Sequence, residues 1–471
     1  MTPAAGDSDP NVQARFESEF HARTLAYLPT YRDDGRPVIV EVGPDATTPT
    51  GHALLTCLIN QLARAHRNLI VVADASEPLL CASPFGHSTI GDATIGLAKQ
   101  INPYIECEIT ETFPAGVADP AIALGVGQAP NADLRLGASG FIATLGDAAT
   151  IGSHDGRWGA LLASSLGAAA AFHRARGLDG LPDGNFSLWE LGAADGADGP
   201  DDPGPVDVGR VLQPGAGAVA CGLQLALSVV DAVGEWTIVD RDTVDVTNLN
   251  RQAMFIATDT WWPAKAPANK AEVLAERFQG AVHANVRFSP LWYGEDQELV
   301  EAEYDVILAL ANEHAVRSYL QGRHAPVLLH ATTSPEWQAQ VHRHVAGLDD
   351  CIECRLRGGP AITQCAVGNV SPAPAATERI DASLPFLSVA AGSLLAAQLA
   401  RLQHGALLDR QTNQTLVDLR EPQPLQFDVR GRCDEGCRMW VGPTERVTLA
   451  AGSRWAALDP DRPKSPSPAK P

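Results

Sequence analysis

The stretch at residues 209–252 constrains the fold of this chain more than any other. It reads as a buried strand, a turn with Gly215 and Gly217, an apolar helix, and a second strand that ends at Asp240. Glycines at a strand-to-helix turn let main-chain N–H groups close on a phosphate at the helix N-terminus. Asp240 stands about where a nucleotide-binding unit places its ribose-binding carboxylate. The stretch therefore predicts a Rossmann-like nucleotide site.

The segment after the second strand is more specific, because a plain dinucleotide-binding unit does not continue in this way. Asp240 is followed by Asp242, then by the run TNLNRQ at 247–252, and Lys270 lies near the start of the next predicted helix. With the glycine turn at 215–220, these motifs resemble those of the ubiquitin-activating enzymes and their bacterial relatives, the ThiF and MoeB adenylyltransferases. Enzymes of that family adenylate ubiquitin-like or sulfur-carrier proteins.

The resemblance implies an ATP site and gives a role to each residue of the motifs. Arg251 and Lys270 would act as catalytic groups, because they offset negative charge on the triphosphate while a carboxylate attacks the α-phosphate. Asn248 and Gln252 would position the nucleotide through neutral hydrogen bonds. The implied nucleotide-binding residues are Gly215, Gly217, Asp240, Asp242, Asn248, Arg251, Gln252, Lys270 and Asn312.

One position departs from the family pattern. The predicted strand at 303–310 resembles one that normally ends in an aspartate ligand of Mg²⁺, but here the residues are Ala311, Asn312 and Glu313. Asn312 keeps an oxygen ligand and lacks the charge, so the sequence predicts weaker Mg²⁺ binding. Glu313 could substitute by a shift of one position. If neither residue holds the metal, the protein would adenylate slowly or not at all. This departure is the main sequence argument for a non-catalytic protein that binds a ubiquitin-like fold.

An amphipathic helix is predicted at residues 11–30. Its segment HARTLAYLP resembles the helix that, in the family, carries an arginine from one half-enzyme into the ATP site of the other. The resemblance implies that Arg23 contacts the ATP phosphates as a catalytic residue. The alternative is a solvated helix arginine.

A weaker copy of the strand–turn–helix–strand pattern occupies residues 37–74 and ends at Asp74. Its turn, PDATTPT, does not resemble a phosphate cradle, and no TNLNRQ-like run follows it. The predicted fold class is therefore α/β, with two Rossmann-like adenylation-type halves, the first degenerate and the second active. An unrelated α/β domain in the first half is the alternative.

The predicted domains follow from this repeat and from composition. Residues between the copies are rich in Gly, Pro and Asp, which is typical of a mobile linker, and the C-terminal residues have the composition of a disordered tail. The predicted divisions are a degenerate adenylation-like domain at 1–180, an acidic linker at 181–207, an active adenylation domain at 208–458 and a disordered tail at 459–471.

Four of the nine cysteines form two pairs separated by a domain's worth of chain. They are Cys351 with Cys354, and Cys433 with Cys437. Two such pairs predict a closed Cys₄ zinc site. Because four thiolates leave no open position, the site is predicted to be structural, and zinc-bearing members of the family place their pairs in the same positions.

Cys365 lies between these pairs, in a Pro-, Ala- and Ser-rich segment that predicts a loop. The resemblance places it where the family carries its thioester or persulfide cysteine. Cys365 would then attack the acyl-adenylate and hold the carrier protein as a thioester. A buried, inert cysteine is the alternative. Ser371 is a further candidate acyl acceptor, although the sequence identifies no base to activate it.

Bulk properties restrict the partners and the compartment. A net charge of −21 argues against nucleic acid or an anionic membrane as partner. Neither a secretory signal nor an apolar run of membrane-spanning length is evident. An odd number of cysteines, four of them in pairs, favours metal or thiol chemistry in a reducing compartment. The predicted location is the cytoplasm.

The predicted function is ATP-dependent adenylation of the C-terminal glycine of a ubiquitin-like protein, followed by transfer to Cys365 and to a ubiquitin-conjugating-like enzyme. ATP, Mg²⁺ and Zn²⁺ are the predicted cofactors, and a homodimer stays open. Arg is more frequent than Lys and Ala is abundant, which favours a GC-rich bacterial source and hence a bacterial ubiquitination-like pathway. The alternatives are a sulfur-carrier adenylyltransferase of cofactor biosynthesis and the non-catalytic binding protein.

Overall fold

The computed structural model of the protein describes most of the chain. The described residues are 9–27, 35–115, 122–152, 157–177, 183–194, 199–200, 203–323, 325–334, 336–355, 384–409, 412–419, 425–429, 431–433, 435–442, 445 and 454–455. They form two eight-stranded sheets with helices packed against them.

The first sheet is built from the N-terminal part of the chain. Its strands are β1 (Val38–Val42), β2 (Asn68–Val72), β3 (Glu106–Thr110), β4 (Ile122–Val126), β5 (Leu134–Ser139), β6 (Ile142–Leu145), β7 (Gly184–Ser187) and β8 (Gly192–Ala193). Their order across the sheet is β3-β2-β1-β4-β5-β6-β7-β8. The first five strands in this order are parallel, and the last three continue the sheet in antiparallel fashion.

The second sheet repeats this topology strand for strand. Its strands are β9 (Arg210–Pro214), β10 (Glu235–Val239), β11 (Asn285–Ser289), β12 (Val306–Leu308), β13 (Val327–Thr333), β14 (Gln338–Arg343), β15 (Gln414–Asp418) and β16 (Leu425–Val429). Their order is β11-β10-β9-β12-β13-β14-β15-β16. The predicted α/β fold with two Rossmann-like halves is therefore confirmed.

In each sheet the chain first moves outward from the central strand and then returns to its other side. The strand order reverses between β1 and β4 in the first sheet and between β9 and β12 in the second. Open parallel sheets bind ligands in the crevice at the carboxyl ends of the strands where this reversal occurs. The predicted glycine turn directly follows β9 and thus lies at this crevice.

The helices lie between and around the sheets. They are α1 (Pro10–Tyr27), α2 (Pro49–Ala65), α3 (Leu97–Ile101), α4 (Trp158–Ala175), α5 (Ala218–Val230), α6 (Val246–Leu249), α7 (Lys270–Gln279), α8 (Gln297–Glu301), α9 (His314–Gln321), α10 (Ile352–Arg355) and α11 (Pro385–Gln403). Helices α2, α4, α5 and α11 share one continuous core with inward-facing residues of both sheets. A second, smaller cluster covers the other face of the second sheet with α9 and α10.

The two halves pack against each other through the Ala/Gly-rich helices α4 and α11. Within the second half, an added Cβ on Gly392 of α11 would lie 2.2 Å from the main-chain nitrogen of Leu223 in α5, so these two helices are in close contact. Phe172 of α4 and Phe386 of α11 have ring centroids 5.7 Å apart. Burial of this joint apolar surface couples the folding of one half to the other.

Two predictions differ from the structure. The predicted linker at 181–207 contains strands β7 and β8, which extend the first sheet. The N-terminal helix spans Pro10–Tyr27, and the last three residues of its predicted range, 28–30, lie outside the described residues. Helix α11 is long and apolar enough to cross a membrane by length and composition, but its apolar stretch is buried within the protein. The predicted domain divisions themselves stay predictions, and the tail at 459–471 lies outside the described residues.

Candidate functional site

The glycine turn between β9 and α5 has the close backbone approach that its sequence predicts. Gly215 has a φ of +105°, and an added Cβ would lie 2.6 Å from the main-chain nitrogen of Ala311. Gly217 caps the N-terminus of α5, and no atom of the described residues lies within 4 Å of the Cβ that could be added there. The turn is therefore packed on one side and open at the start of the helix, where a phosphate could approach.

Asp240, predicted to bind ribose, shapes this turn. One carboxylate oxygen accepts a hydrogen bond from the main-chain nitrogen of Ala216 at 2.7 Å, and the other accepts from that of Asp242 at 2.9 Å. Burial raises the pKa of Asp240, while nearby Lys270 lowers it. Each carboxylate oxygen keeps a further lone pair for a ligand, so a structural role and a ribose-binding role are compatible.

Lys270 is the first residue of α7, and its side chain points back to the segment after β10. Its Nζ lies 3.0 Å from Oδ2 of Asp242, and its main-chain nitrogen donates to the carbonyl of Asp242 at 2.8 Å. Asn269 caps α7 through the nitrogen of Glu272 and donates to the carbonyl of Asp240. The structure therefore brings the predicted lysine and both aspartates into one network beside the glycine turn.

The run at 247–252 forms a short helix and the turn after it. Asp245 and Asn248 form a reciprocal capping box at the start of α6. The guanidinium of Arg251 donates to the carbonyl of Thr247 at 2.7 Å. Gln252 is buried, and its Oε1 has no hydrogen-bond partner among the described residues. A buried polar oxygen without a hydrogen-bond partner raises the free energy of the folded protein. Oε1 of Gln252 is therefore available to accept a hydrogen bond from a bound nucleotide.

Side chains of the first half form hydrogen bonds with the backbone of this run and of the residues after it. These contacts were not predicted from the sequence. Arg64 of α2 is fully buried and donates to the main-chain carbonyls of Leu249, Ala253 and Phe255. Asn60, one turn earlier, accepts from Arg64 and donates to Ala253 at 3.0 Å. Burial lowers the pKa of Arg64 to about 9, so the side chain stays charged at neutral pH. The sequence signal is this polar pair, at a spacing of four residues, in a helix with many apolar residues.

Helix α1 crosses from the first half to the same run of the second. Nδ2 of Asn250 donates to Oγ1 of Thr24 at 3.2 Å, and Nε1 of Trp261 donates to Glu19 at 2.7 Å. The guanidinium of Arg15 also stacks 4.0 Å from the Trp261 ring. Arg23 lies on this helix and is half-buried. Its contact with ATP phosphates stays a prediction.

Asn312, the predicted Mg²⁺ ligand, follows β12 at the edge that carries the glycine turn. Leu310 donates to the carbonyl of Pro214 at 3.1 Å, which holds the 310–312 segment against Gly215. Asn312 is exposed and Glu313, which begins α9, is half-buried. Asn312 offers a neutral oxygen ligand and Glu313 an acidic one. Two such ligands would bind Mg²⁺ only weakly.

The matching turn of the first half is built differently. Six residues, 43–48, separate β1 from α2, whereas three residues, 215–217, separate β9 from α5. The carboxylate of Asp45 accepts from the main-chain nitrogens of Gln128 and Ile151. A negative side chain thus occupies the loop that would have to accept a phosphate, which explains physically why this copy lacks a phosphate cradle.

The four predicted zinc ligands come together beside α10. Sγ of Cys437 lies 3.7 Å from that of Cys351 and 3.4 Å from that of Cys354, and the sulfurs of Cys354 and Cys433 are 3.7 Å apart. All four sulfurs lie within 4.8 Å of one another. A tetrahedron with Zn–S bonds of ~2.3 Å has edges of roughly 3.8 Å. The cluster therefore fits a structural zinc ion.

Main-chain N–H groups point at these sulfurs, as expected for thiolates that hold a metal. The nitrogen of Cys351 donates to Sγ of Cys433 at 3.1 Å, and that of Met439 donates to Cys437 at 3.4 Å. Burial and the neighbouring thiols raise the pKa of Cys354 to about 12. A bound cation would reverse that shift, because thiolates are the ligands of zinc.

The two predicted acyl acceptors lie between α10 and α11 in the chain. Cys365 and Ser371 fall in the segment 356–383, which lies outside the described residues. Their roles stay predictions. The described parts on either side of this segment, α10 and α11, lie in the second half of the chain.

These features define a Rossmann-like nucleotide-binding domain that carries a cysteine cluster. They are the glycine turn at the reversal of strand order, Asp240 after β10, and Lys270 of α7. Comparison with known proteins names its family. Residues 207–437 match the ThiF family, and this part of the chain is a ThiF family domain. The resemblance on which the sequence prediction rests is thereby confirmed.

Individual relatives are more distant. Over 172 residues the chain is 27% identical to the NEDD8-activating enzyme E1 catalytic subunit of Saccharomyces cerevisiae, covering 34% of this chain and 56% of that protein. The chain thus spans about half the length of this curated relative. Escherichia coli MccB with ATP is 18% identical, over 50% of this chain and 68% of that chain, with a TM-score of 0.38. The microcin C7 biosynthetic enzyme MccB, in complex with N-formylated MccA, is 13% identical over 65% and 97%, with a TM-score of 0.37.

Proposed function

We propose that this protein uses ATP to adenylate the C-terminal carboxylate of a protein substrate, and that the substrate is a ubiquitin-like protein ending in glycine. The observation that carries the proposal is the network of Asp240, Asp242 and Lys270 around the glycine turn of a ThiF family domain. The distant similarity to the NEDD8-activating E1 subunit favours a ubiquitin-like substrate.

The residues of the network have the chemistry that adenylation requires. The open start of α5 at Gly217 offers main-chain N–H groups and a helix dipole to phosphate oxygens. Lys270 and Arg251 supply positive charge as the substrate carboxylate attacks the α-phosphate and pyrophosphate leaves. Oδ2 of Asp242 lies 3.0 Å from Nζ of Lys270, and this ion pair orients the lysine side chain.

The first half would act as a support rather than as a second catalytic unit. Arg64 and Asn60 hold the carbonyls after α6, and α1 contacts the same run through Thr24. Arg23, next to Thr24 on this helix, is the residue we propose to approach the ATP phosphates from the first half. These supports lie in one chain, so the proposed site does not need a second protomer for α1.

The later steps of the proposed pathway depend on Cys365. Its thiolate would attack the carbonyl carbon of the acyl-adenylate, forming a thioester and releasing AMP, and the carrier would then pass to the cysteine of a conjugating enzyme. In a sulfur-carrier pathway the same adenylate would instead react with a sulfur donor. The cofactors of the proposal are ATP with Mg²⁺ for the reaction and zinc for the structure.

A non-catalytic binding protein is the second candidate, and Asn312 is the observation that favours it. The amide at this position supplies one neutral oxygen where the family pattern has a charged Mg²⁺ ligand. Without a metal near the phosphates, charge on the leaving pyrophosphate would be stabilised by Lys270 and Arg251 alone. Such a protein would bind a ubiquitin-like fold without turnover.

The experiment is ATP–pyrophosphate exchange with Mg²⁺, using the full chain and ubiquitin-like proteins from the same genome. We expect exchange that is lost in Arg251→Ala and Lys270→Ala and retained in Cys365→Ala. Retention in the last variant would separate adenylation from thioester formation. No exchange with any candidate, from folded and zinc-loaded protein, would reject adenylation of these substrates and favour the binding protein.

A further inference from the structure

We propose that His330, His342 and His344 bind a divalent transition-metal ion of the zinc class, at a second metal site separate from the Cys₄ cluster. His330 lies on β13, and His342 lies opposite it in the antiparallel register of β14. His344 follows two residues later, so its side chain returns to the same face. The three imidazoles therefore converge from two adjacent strands.

The distances between the rings suit a shared ion. One ring nitrogen from each histidine lies within 4.8 Å of the others. The rings of His330 and His342 have centroids 4.7 Å apart, and those of His342 and His344 are 6.1 Å apart and nearly parallel. A tetrahedral ion with Zn–N bonds of ~2.0–2.1 Å separates its nitrogens by roughly 3.4 Å, so the side chains would move closer together and rotate when the ion binds.

The histidines are buried with almost none of their polar atoms satisfied. Their exposed fractions are 0%, 2% and 1%, respectively. Within the described part of the chain, five of their six ring nitrogens have no hydrogen-bond partner: Nδ1 and Nε2 of His330, Nδ1 and Nε2 of His342, and Nε2 of His344. Buried polar groups in proteins are nearly always paired with protein, water or metal. A neutral imidazole has one protonated nitrogen and one nitrogen with a free lone pair, so the five nitrogens include three lone pairs, one from each ring. Three unpartnered lone pairs in one buried place point to a ligand that accepts them.

The sixth nitrogen shows how one ligand is oriented. Nδ1 of His344 lies 2.6 Å from the carbonyl oxygen of Asp350. A carbonyl can only accept, so Nδ1 carries the proton and Nε2 presents its lone pair to the cluster. Metal-binding histidines are commonly fixed by this second hydrogen bond.

The same peptide unit joins the histidine cluster to the zinc site. The carbonyl of Asp350 accepts a hydrogen bond from His344. The N–H of the next residue, Cys351, donates a hydrogen bond to Sγ of Cys433. One peptide plane thus serves both groups of ligands. We infer two structural metal ions that fix β13, β14 and α10 together.

The surrounding charges favour neutral imidazoles, which is the form that binds metals. Burial lowers the pKa of His330 and His342 well below the usual range, and nearby Arg317 and Arg355 lower them further. These arginines also repel a cation, but Nη2 of Arg355 is paired with Asp350 at 2.8 Å. The guanidinium of Arg317 bonds the carbonyl of Ala311 at 2.6 Å. Removing the charge of Arg317 should therefore tighten binding of the ion.

Metal content of the full chain tests the proposal. After saturation with Zn²⁺ and removal of excess ion by gel filtration, we expect two zinc ions per chain by mass spectrometry. His342→Phe keeps an aromatic ring of similar size and should retain one. His283→Gln, at an exposed histidine, is the matched control and should retain two. One zinc per chain in the unmodified protein would overturn the proposal.

A spectroscopic measurement on the unmodified protein avoids dependence on whether a variant folds. Co²⁺ bound by four thiolates gives intense sulfur-to-metal charge-transfer absorption, whereas Co²⁺ bound by imidazoles gives none. We expect one equivalent of Co²⁺ to produce that band and a second to bind without increasing it. Saturation at one equivalent, with the charge-transfer band complete, would show that the histidines hold no ion.

Discussion

The guanidinium of Arg64 in α2 donates a hydrogen bond to the main-chain carbonyl of Leu249 in α6, 185 residues further along the chain. The same guanidinium reaches Ala253 and Phe255 at 3.0 Å. A charged side chain of the first half therefore holds the backbone of the proposed ATP site in the second. The first half has a carboxylate in its own turn, at Asp45, yet it supports the backbone of residues 249–255 in the second half.

We expect Arg64→Met to lower the free energy of unfolding by about 3 kcal/mol, because three buried carbonyls would lose charged donors. Guanidinium denaturation followed by tryptophan fluorescence would measure this. Arg67→Met, at a partly exposed arginine just beyond the same helix, is the control and should change the value by less than about 1 kcal/mol. Equal effects of the two substitutions would mean that the carbonyl contacts contribute little.

The two glycines of the turn should respond differently to alanine. Gly215→Ala would place a methyl group 2.6 Å from the backbone of Ala311 at a φ of +105°, and we expect a loss of about 3 kcal/mol in stability. Gly217→Ala meets no described atom at a φ of −80°, so stability should stay unchanged. Thermal unfolding would distinguish them.

Gly217→Ala also tests where the phosphates lie. If the open start of α5 receives them, the added methyl group should weaken ATP binding roughly tenfold, which corresponds to about 1.4 kcal/mol. Calorimetric titration of the folded variant with ATP and Mg²⁺ would measure the affinity. Unaltered affinity would place the phosphates elsewhere.

Lys270 and Asp242 should contribute unequally to the proposed reaction. Lys270→Ala removes a charge that would stabilise the transition state, and we expect exchange to fall by about 10²–10³-fold. Asp242→Asn leaves the lysine in place without its 3.0 Å ion pair and should cost roughly tenfold. Lys265→Ala, at an exposed lysine five residues earlier, is the control. A Lys270→Ala variant with normal pyrophosphate exchange would remove this residue from the mechanism.

Loss of the Cys₄ cluster should destabilise the second half. Cys354→Ser combined with Cys437→Ser should lower the zinc content by one ion per chain and the melting temperature by ~5 °C or more, because metal binding contributes directly to folding. Cys107→Ser, at a half-buried cysteine on β3, should retain all zinc. Zinc content that is unchanged in the double variant would contradict the assignment of these ligands.

Several features could be predicted from the sequence because they depend on residues close together in the chain. The turn at Gly215 and Gly217, the strand ending before Asp240 and the helix that begins at Lys270 follow from local patterns. The two cysteine pairs are far apart in the chain, but their spacing within each pair is itself a ligand pattern. The repeated strand–turn–helix pattern likewise predicted two similar halves, and the two sheets have the same strand order.

Other features were decided by tertiary packing. No local pattern links Arg64 to Leu249, Thr24 to Asn250, or His330 to His342, since each pair meets only when two distant elements pack together. The stretch at 181–207 is rich in Gly, Pro and Asp, yet Phe186, Leu188 and Leu191 within it are buried, and β7 and β8 pair there with the edge of the first sheet. The burial of these apolar side chains orders a segment whose Gly, Pro and Asp content is otherwise typical of a linker.

The sequence alone therefore determined the type of fold and the nucleotide and zinc motifs, because local chain geometry and side-chain chemistry suffice for these. The tertiary structure decided how the halves cooperate: a buried cation and helix α1 from the first half hold the site segment of the second. It also decided which buried polar groups find partners and which, like the three histidines, are left facing one another. Both outcomes depend on long-range packing, in which the free energy of burying a polar group is set by neighbours that the local sequence does not specify.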